Sequence, residues 1–152
     1  MLVMNKACEE FWQQYCNEKQ IDASTAYVRA YRFGDTPDEL AQLVADGIKT
    51  TTSNAQRLFE LNGKIVPKVG DYNIIMNKVF EPIALIQIGN VEIKRYDEID
   101  EAFAINEGDG SLENWDAIHE RYFKEQLAQH NEPFSKEIPL VCQTFSVLKV
   151  NK

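Results

Sequence analysis

At 152 residues the chain is long enough for one domain with a real core. Hydrophobic residues make up 44% and charged residues 26%, an ordinary soluble composition, and no apolar run approaches the ~20 residues of a membrane span. The formal net charge of -8 lacks the positive field that grips a long phosphate backbone, so a nucleic-acid role must rest on a local pocket.

The acid excess is uneven. Residues 91–152 hold 13 acids against 7 bases, and the stretch from Asp97 to Asp116 carries eight acids with no Lys or Arg. Residues 51–90 hold Arg57, Lys64, Lys68 and Lys78 against Glu60, Asp71 and Glu81, so any phosphate-facing surface is expected there. Met1-Leu2-Val3-Met4 is too short and too weakly charged for a signal peptide. Cys8, Cys16 and Cys142 are odd in number and form no Cys-x-x-Cys pair. That argues against a disulfide framework or a zinc site, and for a reducing cytoplasm with buried, inert thiols.

Asn5 is the expected N-cap of a first helix through about Glu18. Its apolar face of Cys8, Phe11, Trp12, Tyr15 and Cys16 reads as packing on the domain, with a homodimer contact as the alternative. Residues 21–32 fit helix or extended chain. Tyr27 and Tyr31 flank Arg29 and Arg32 there, a pattern that could stack on a base and meet phosphate, or form surface pairs. Phe33-Gly34-Asp35 reads as a turn. Thr36-Pro37-Asp38-Glu39 then predicts a capping box opening a helix whose buried face is Leu40, Leu43 and Val44. Gly47 is its expected stop.

A short helix is expected over 53–61. Strands are expected at Lys64–Val66, Tyr72–Met76, Ile83–Ile88 and Val91–Ile93, which suggest an antiparallel barrel or sandwich. A helix is expected from Asp97 to Asn106, and a second, capped by Ser111, with Trp115, Ile118, His119, Tyr122 and Phe123 on its aromatic face. A last strand runs from Pro139 to Leu148.

Gly47-Ile48-Lys49-Thr50-Thr51-Thr52 puts one amine beside three hydroxyls. Lysine can stabilise an anion or act as a base, and threonine can be a nucleophile when a base sits close. The plainer reading is a helix exit into a Thr-rich strand with Lys49 in solvent. The preceding helix end favours a charged amine and opposes a lowered Lys49 pKa. Glu107 stands beside glycines at a helix end, where it could face a cleft or belong to a solvated acidic surface. Glu107, Asp109 and Asp116 are hard oxygen ligands, but their spacing matches no calcium loop, so neither metal nor other cofactor is expected. His119, one turn after Trp115, reads as a core-edge hydrogen bonder or a catalyst.

An ordered set of motifs ties these stretches together: Phe33-Gly34-Asp35, Gly47-x-Lys49-Thr50-x-Thr52, Gly70-Asp71 and Phe103-Ala104-x-x-Glu107-Gly108. Ser111-Leu112-Glu113-x-Trp115, His119, Phe123 and Phe145 complete it. Over residues 33–148 the chain resembles the ASCH domain family, the activating-signal-cointegrator homology domains. The resemblance implies an α+β fold, a PUA-like mixed β-barrel with surrounding helices over 33–150; residues 1–32 lie outside it and are expected as an extra N-terminal helical segment packed on the domain. It also implies an RNA- or nucleoside-related role in the cytoplasm. The small bacterial members hydrolyse 4-acetylcytidine, and their working Lys, last Thr and Glu fall here at Lys49, Thr52 and Glu107. Thr50, Thr51, Tyr31, Trp115 and His119 are then the substrate-binding candidates. Other members are RNA binders or ribonucleases, so a single-stranded RNA is the alternative partner to a small nucleoside. The small hydrolases are shorter and carry an Arg soon after the last Thr, where this chain has Ser53 and Asn54.

Overall fold

A single sheet organises the molecule, as seen in a computed structural model that describes residues 4–24 and 28–152. Tyr27 and Met1–Val3 lie outside the described residues. The elements run α1 (Lys6–Lys19), β1 (Val28–Arg32), α2 (Pro37–Ala45), β2 (Thr51–Ala55), α3 (Gln56–Leu61), β3 (Tyr72–Met76), β4 (Pro82–Arg95), α4 (Glu101–Asn106), α5 (Leu112–Ala128) and β5 (Pro139–Val150). Among the described residues the five strands form one curled half-barrel sheet in the order β1-β3-β4-β5-β2. The sheet is mixed, not antiparallel as the strand pattern alone suggests: β1 runs parallel to β3, and the other pairs are antiparallel. The long β4 pairs with β3 through its first half and with β5 throughout, and its register shifts beside Gly89. Such bulges bend a strand and curl the sheet.

Side-chain alternation divides the sheet into two faces. On the inner face Ile75, Ala84, Ile86, Ile88 and Phe145 pack with Phe33 and with Ala41 and Val44 of α2. The outer face is covered at one end by α1, whose Cys8, Phe11, Trp12, Tyr15 and Cys16 bury against Ile74, Met76 and Leu85. At the other end α5 lays Trp115, Phe123 and Leu127 on Ala55, Leu140 and Cys142. The apolar stripe of α1 is therefore consumed within the chain. No helix among the described residues is long and apolar enough to cross a membrane.

Several local expectations hold. Asn5 and Ser111 cap α1 and α5 through their side chains. Gly47 takes φ +75, and the Gly47 and Ile48 N–H groups bond back to Val44 and Leu43, a Schellman ending. Others are corrected. Thr36 precedes α2 without a side-chain cap bond, because its φ -127, ψ 69 backbone does not aim the hydroxyl, and Asp38 instead accepts from the Lys78 N–H. Ser53–Ala55 belong to β2, paired with β5, so only Gln56–Leu61 is helical. Lys64–Val66 is not a strand: it finds no partner strand, and Ile65 is exposed with its carbonyl held by Arg29. The helix expected over 97–106 breaks into a 3-10 turn, Tyr96–Glu98, and α4, because the Asp100 side chain caps Phe103 and starts the helix afresh.

Candidate functional site

Strand β2 is an edge strand with β5 on one side. Phe145 N–H bonds to the Thr50 carbonyl, which fixes the phase of the ladder. The Thr50 carbonyl and the main-chain groups of Thr52 therefore face β5, and Thr51 and Ser53 point theirs at the open edge. Helix α4 and the Glu107 that follows it lie along that edge. Thr51 Oγ1 donates to the Phe103 carbonyl (3.1 Å) and Thr50 N–H to the Asn106 carbonyl (2.7 Å). Ser53 N–H donates to Glu107 Oε1 at 3.2 Å. An exposed edge invites pairing with other chains, and here it is sealed by a helix end and a carboxylate.

Lys49 enters the same seam. The Schellman ending of α2 also bonds Lys49 N–H to the Leu43 carbonyl, which turns the side chain inward. Its ammonium donates to the carbonyls of Thr51 (2.8 Å) and Glu107 (3.1 Å), stands 3.9 Å from Glu107 Oε1 and lies 4.9 Å from the centre of the Phe33 ring. The expectation of a solvent-facing lysine is overturned: Lys49 is 2% exposed. Burial pushes its amine below the ordinary lysine value, with the Glu107 and Asp109 charges resisting. Gly108 permits the close approach, because at φ +101 an added Cβ would meet Leu43 Cδ1 at 2.9 Å.

Glu107 is 4% exposed and saturated with donors. Besides Ser53 N–H it accepts from Ser53 Oγ (3.0 Å), the Trp115 indole N–H (2.7 Å) and His119 Nε2 (3.0 Å). Burial alone would raise its pKa, but the His119 and Lys49 charges and these hydrogen bonds hold the carboxyl down at about 2. His119 Nδ1 lies 2.9 Å from the Trp115 carbonyl. Both imidazole nitrogens thus face acceptors, so both donate and the ring is an imidazolium. Burial works against that charge, and the Glu107 carboxylate overcomes it, so the pKa is raised. Asp109 stands 3.7 Å from His119 Nδ1, and burial pushes its carboxyl up. The result is an ionised carboxylate between the His119 imidazole and the Lys49 amine, in surroundings where charge interactions are strong.

The sequence candidates sort accordingly. Lys49, Glu107, His119 and Trp115 converge, but Trp115 is 1% exposed, tilted against Tyr96 and stacked on His119 at 4.3 Å. It supports Glu107 and offers no free platform for a base. Thr51 spends its hydroxyl on α4. Thr52 makes no hydrogen bond to Lys49 or Glu107; its side chain lies on the inner face opposite Gln143. Tyr31 sits edge-on against Phe33 at 5.4 Å on the same face. Arg29 pairs with Asp71, and Arg32 stacks on Phe80, so both arginines have structural work. Asp116 leaves the acidic trio for Tyr96 and Lys136. Glu107, Asp109 and His119 do bring ligand atoms within 4.8 Å of one another. Yet the imidazolium and the Lys49 ammonium already neutralise that carboxylate, which disfavours a third cation. Two surface grooves, of about 580 and 590 Å³, open elsewhere, beside α1 and beside the start of α2. The centre is largely closed, with the His119 and Asp109 side chains 11% and 12% exposed.

Sequence reasoning missed Ser53 as a partner of Glu107 and Asp109 as the neighbour of His119. Ser53 follows a Thr run and looks like more of it; only the alternation of an edge strand separates its role from that of Thr52.

A curled half-barrel with helices on its outer face and a helix end sealing its edge strand is the PUA-like architecture of ASCH domains. An ASCH domain from Lactobacillus crispatus JV V101 shares this fold with a TM-score of 0.87, at 24% identity, over 97% of each chain. The ASCH domain family model matches residues 29–149, and the chain belongs to that family. Protein EF3133 from Enterococcus faecalis V583 is 33% identical over 97% of this chain and 95% of its own, with a TM-score of 0.84. No curated protein matches the chain.

Proposed function

We propose that this ASCH domain takes a pyrimidine nucleoside, free or at an accessible position in single-stranded RNA, into the seam beside Lys49 and Glu107. Hydrolysis of an N-acylated cytidine such as 4-acetylcytidine is the reaction these residues support best. The observation that carries the reading is the buried Glu107 carboxylate held ionised between the Lys49 ammonium and the His119 imidazolium. The reaction adds water across the amide: the acyl carbon gains the oxygen, N4 gains the proton, and acetate leaves. The Lys49 ammonium, with carbonyls already on two of its protons, is poorly placed as a base and well placed to stabilise the oxyanion on the acyl oxygen. Glu107 orients that ammonium. The Thr52 hydroxyl attacks the acyl carbon from the inner face; its proton goes to N4 as the C–N bond breaks and cytidine leaves, and water then hydrolyses the threonyl ester to acetate and the restored hydroxyl. Incubation with 4-acetylcytidine, with cytidine followed by chromatography, tests it. No turnover, or turnover untouched by Thr52→Ala and Lys49→Ala, removes the hydrolase.

One observation favours a second reading, a binding module without chemistry: among the described residues the Thr52 hydroxyl has no base hydrogen-bonded to it. It predicts saturable, Lys49-dependent nucleoside binding with no product, read by equilibrium dialysis on the same protein.

A further inference from the structure

Among the described residues, the buried side-chain oxygens without a hydrogen-bond partner are Asn73 Oδ1, Asp109 Oδ2 and Gln143 Oε1. All three are acceptors, so what each lacks is a donor. Buried acceptors left unpaired are costly and rare, and each calls for a reason. Asp109 borders His119 within the centre already described. Asn73 belongs to β3, opposite Ile86, away from the β2 edge. Gln143 is different: it is 6% exposed, carries no charge, and is the direct cross-strand partner of Thr52. Facing residues of an antiparallel pair hold their Cβ atoms about 5 Å apart, so the two side chains leave the same face of the sheet as neighbours.

Their surroundings join this pair to the Lys49 centre. Phe145, two residues along β5, shares the inner face with Gln143 and stacks on Phe33 at 6.3 Å. The Lys49 ammonium lies over that same Phe33 ring. One strip of the inner face therefore runs from a cation, across two stacked rings, to a hydroxyl and an unpartnered amide oxygen.

We infer that Gln143 is the specificity-determining residue of the site, its carboxamide oxygen accepting a hydrogen bond from an N–H donor on the ligand. The inference rests on the nucleoside reading above and narrows it. A pyrimidine with an amino or acylamino group at position 4 supplies the donor. One with an oxo group there presents a second oxygen to Gln143 and is repelled. The site thus selects cytidine and its N4-acyl derivatives against uridine, through an unmade hydrogen bond on the losing side.

Cytidine and uridine are the probes, titrated by calorimetry into the wild-type chain, Gln143→Leu, Gln143→Glu and Lys49→Ala. The wild type is expected to prefer cytidine by roughly tenfold or more. Gln143→Leu brings the two affinities together, whereas Gln143→Glu, which keeps an acceptor, retains the preference. Gln143→Leu also removes an unsatisfied buried oxygen at similar volume, so its thermal midpoint rises, by roughly 2–4 °C or more. Equal wild-type affinities overturn the inference, as does a preference that survives in Gln143→Leu. A midpoint that falls in Gln143→Leu also overturns it, since the amide is then a structural bonder to an internal water. If binding is lost in Lys49→Ala but Gln143 leaves the preference unchanged, this inference alone fails. If the wild type binds neither nucleoside and releases no cytidine from 4-acetylcytidine, the nucleoside reading fails with it.

Discussion

Replacing Glu107 by glutamine keeps the shape of the side chain and removes its charge. The cost follows from the structure by two routes. The carboxyl is held at about 2 against an ordinary 4.5. At ~1.4 kcal/mol per tenfold change in proton affinity, that fall amounts to about 3 kcal/mol at neutral pH. Independently, removing one partner of a buried ion pair costs roughly 3–5 kcal/mol, because the other charge stays buried and uncompensated. Here two charges are stranded, Lys49 and His119. The loss is expected near 3 kcal/mol, a large share of the ~5–15 kcal/mol that holds a domain folded. Urea denaturation followed by far-UV circular dichroism measures it. The pH dependence carries the sign. A depressed carboxyl stabilises the fold above its unfolded value, and that contribution fades as pH falls from 4.5 toward 2. The gap between wild type and Glu107→Gln is therefore full at pH 7, narrows below pH 4.5 and nearly closes at pH 2. A gap under about 1 kcal/mol at pH 7, or one that does not change with pH, refutes the charged cluster.

The imidazolium has its own signature: by NMR titration the His119 ring should change charge above the ordinary ~6.5, and Glu107→Gln should bring that midpoint down. Because the folded value is raised, the stability it lends is complete below about pH 6.5 and is lost as pH climbs through the folded value; an ordinary midpoint contradicts the two-donor geometry. Gly108→Ala forces a Cβ to within 2.9 Å of Leu43 Cδ1 at a φ of +101 and should cost about 1–3 kcal/mol, seen as a drop in the thermal midpoint; an unchanged midpoint shows that the seam is looser than described.

How far the residues alone disclose this structure depends on the range of the forces involved. The caps at Asn5 and Ser111, the Schellman glycine and the strands at 72–76 and 139–150 are set by neighbours a few residues away, so they are legible. The parallel pairing of β1 with β3 joins residues 44 apart, and no local pattern announces it. Lys64–Val66 has strand composition but no partner, and composition cannot supply one. The burial of Lys49 is of the same kind. A helix exit predicts a solvated amine, and only the arrival of α4, 58 residues later at Glu107, makes the inward rotamer pay. The ordered motifs carried Lys49 and Glu107 to the site because both lie beside glycines the fold needs. Gln143 carried no such mark: in sequence it is a polar residue in a strand, and its meaning appears only when Thr52 stands opposite.

The residues of the seam carry two duties that a mutation cannot separate. The Thr51 carbonyl and Ser53 N–H at the open edge of β2 need partners, and Lys49 and Glu107 supply them. A ligand that engages Glu107 must compete with Ser53, Trp115 and His119 for its lone pairs. Loss of activity in a Lys49 or Glu107 variant therefore mixes chemistry with an unsealed edge. Thr52 and Gln143 stand differently. Their main chains are paired in the β2–β5 ladder, and the Gln143 carboxamide oxygen has no hydrogen-bond partner. Substituting either leaves the ladder in place. On the proposed reading, these two positions are where activity is lost while the fold stays.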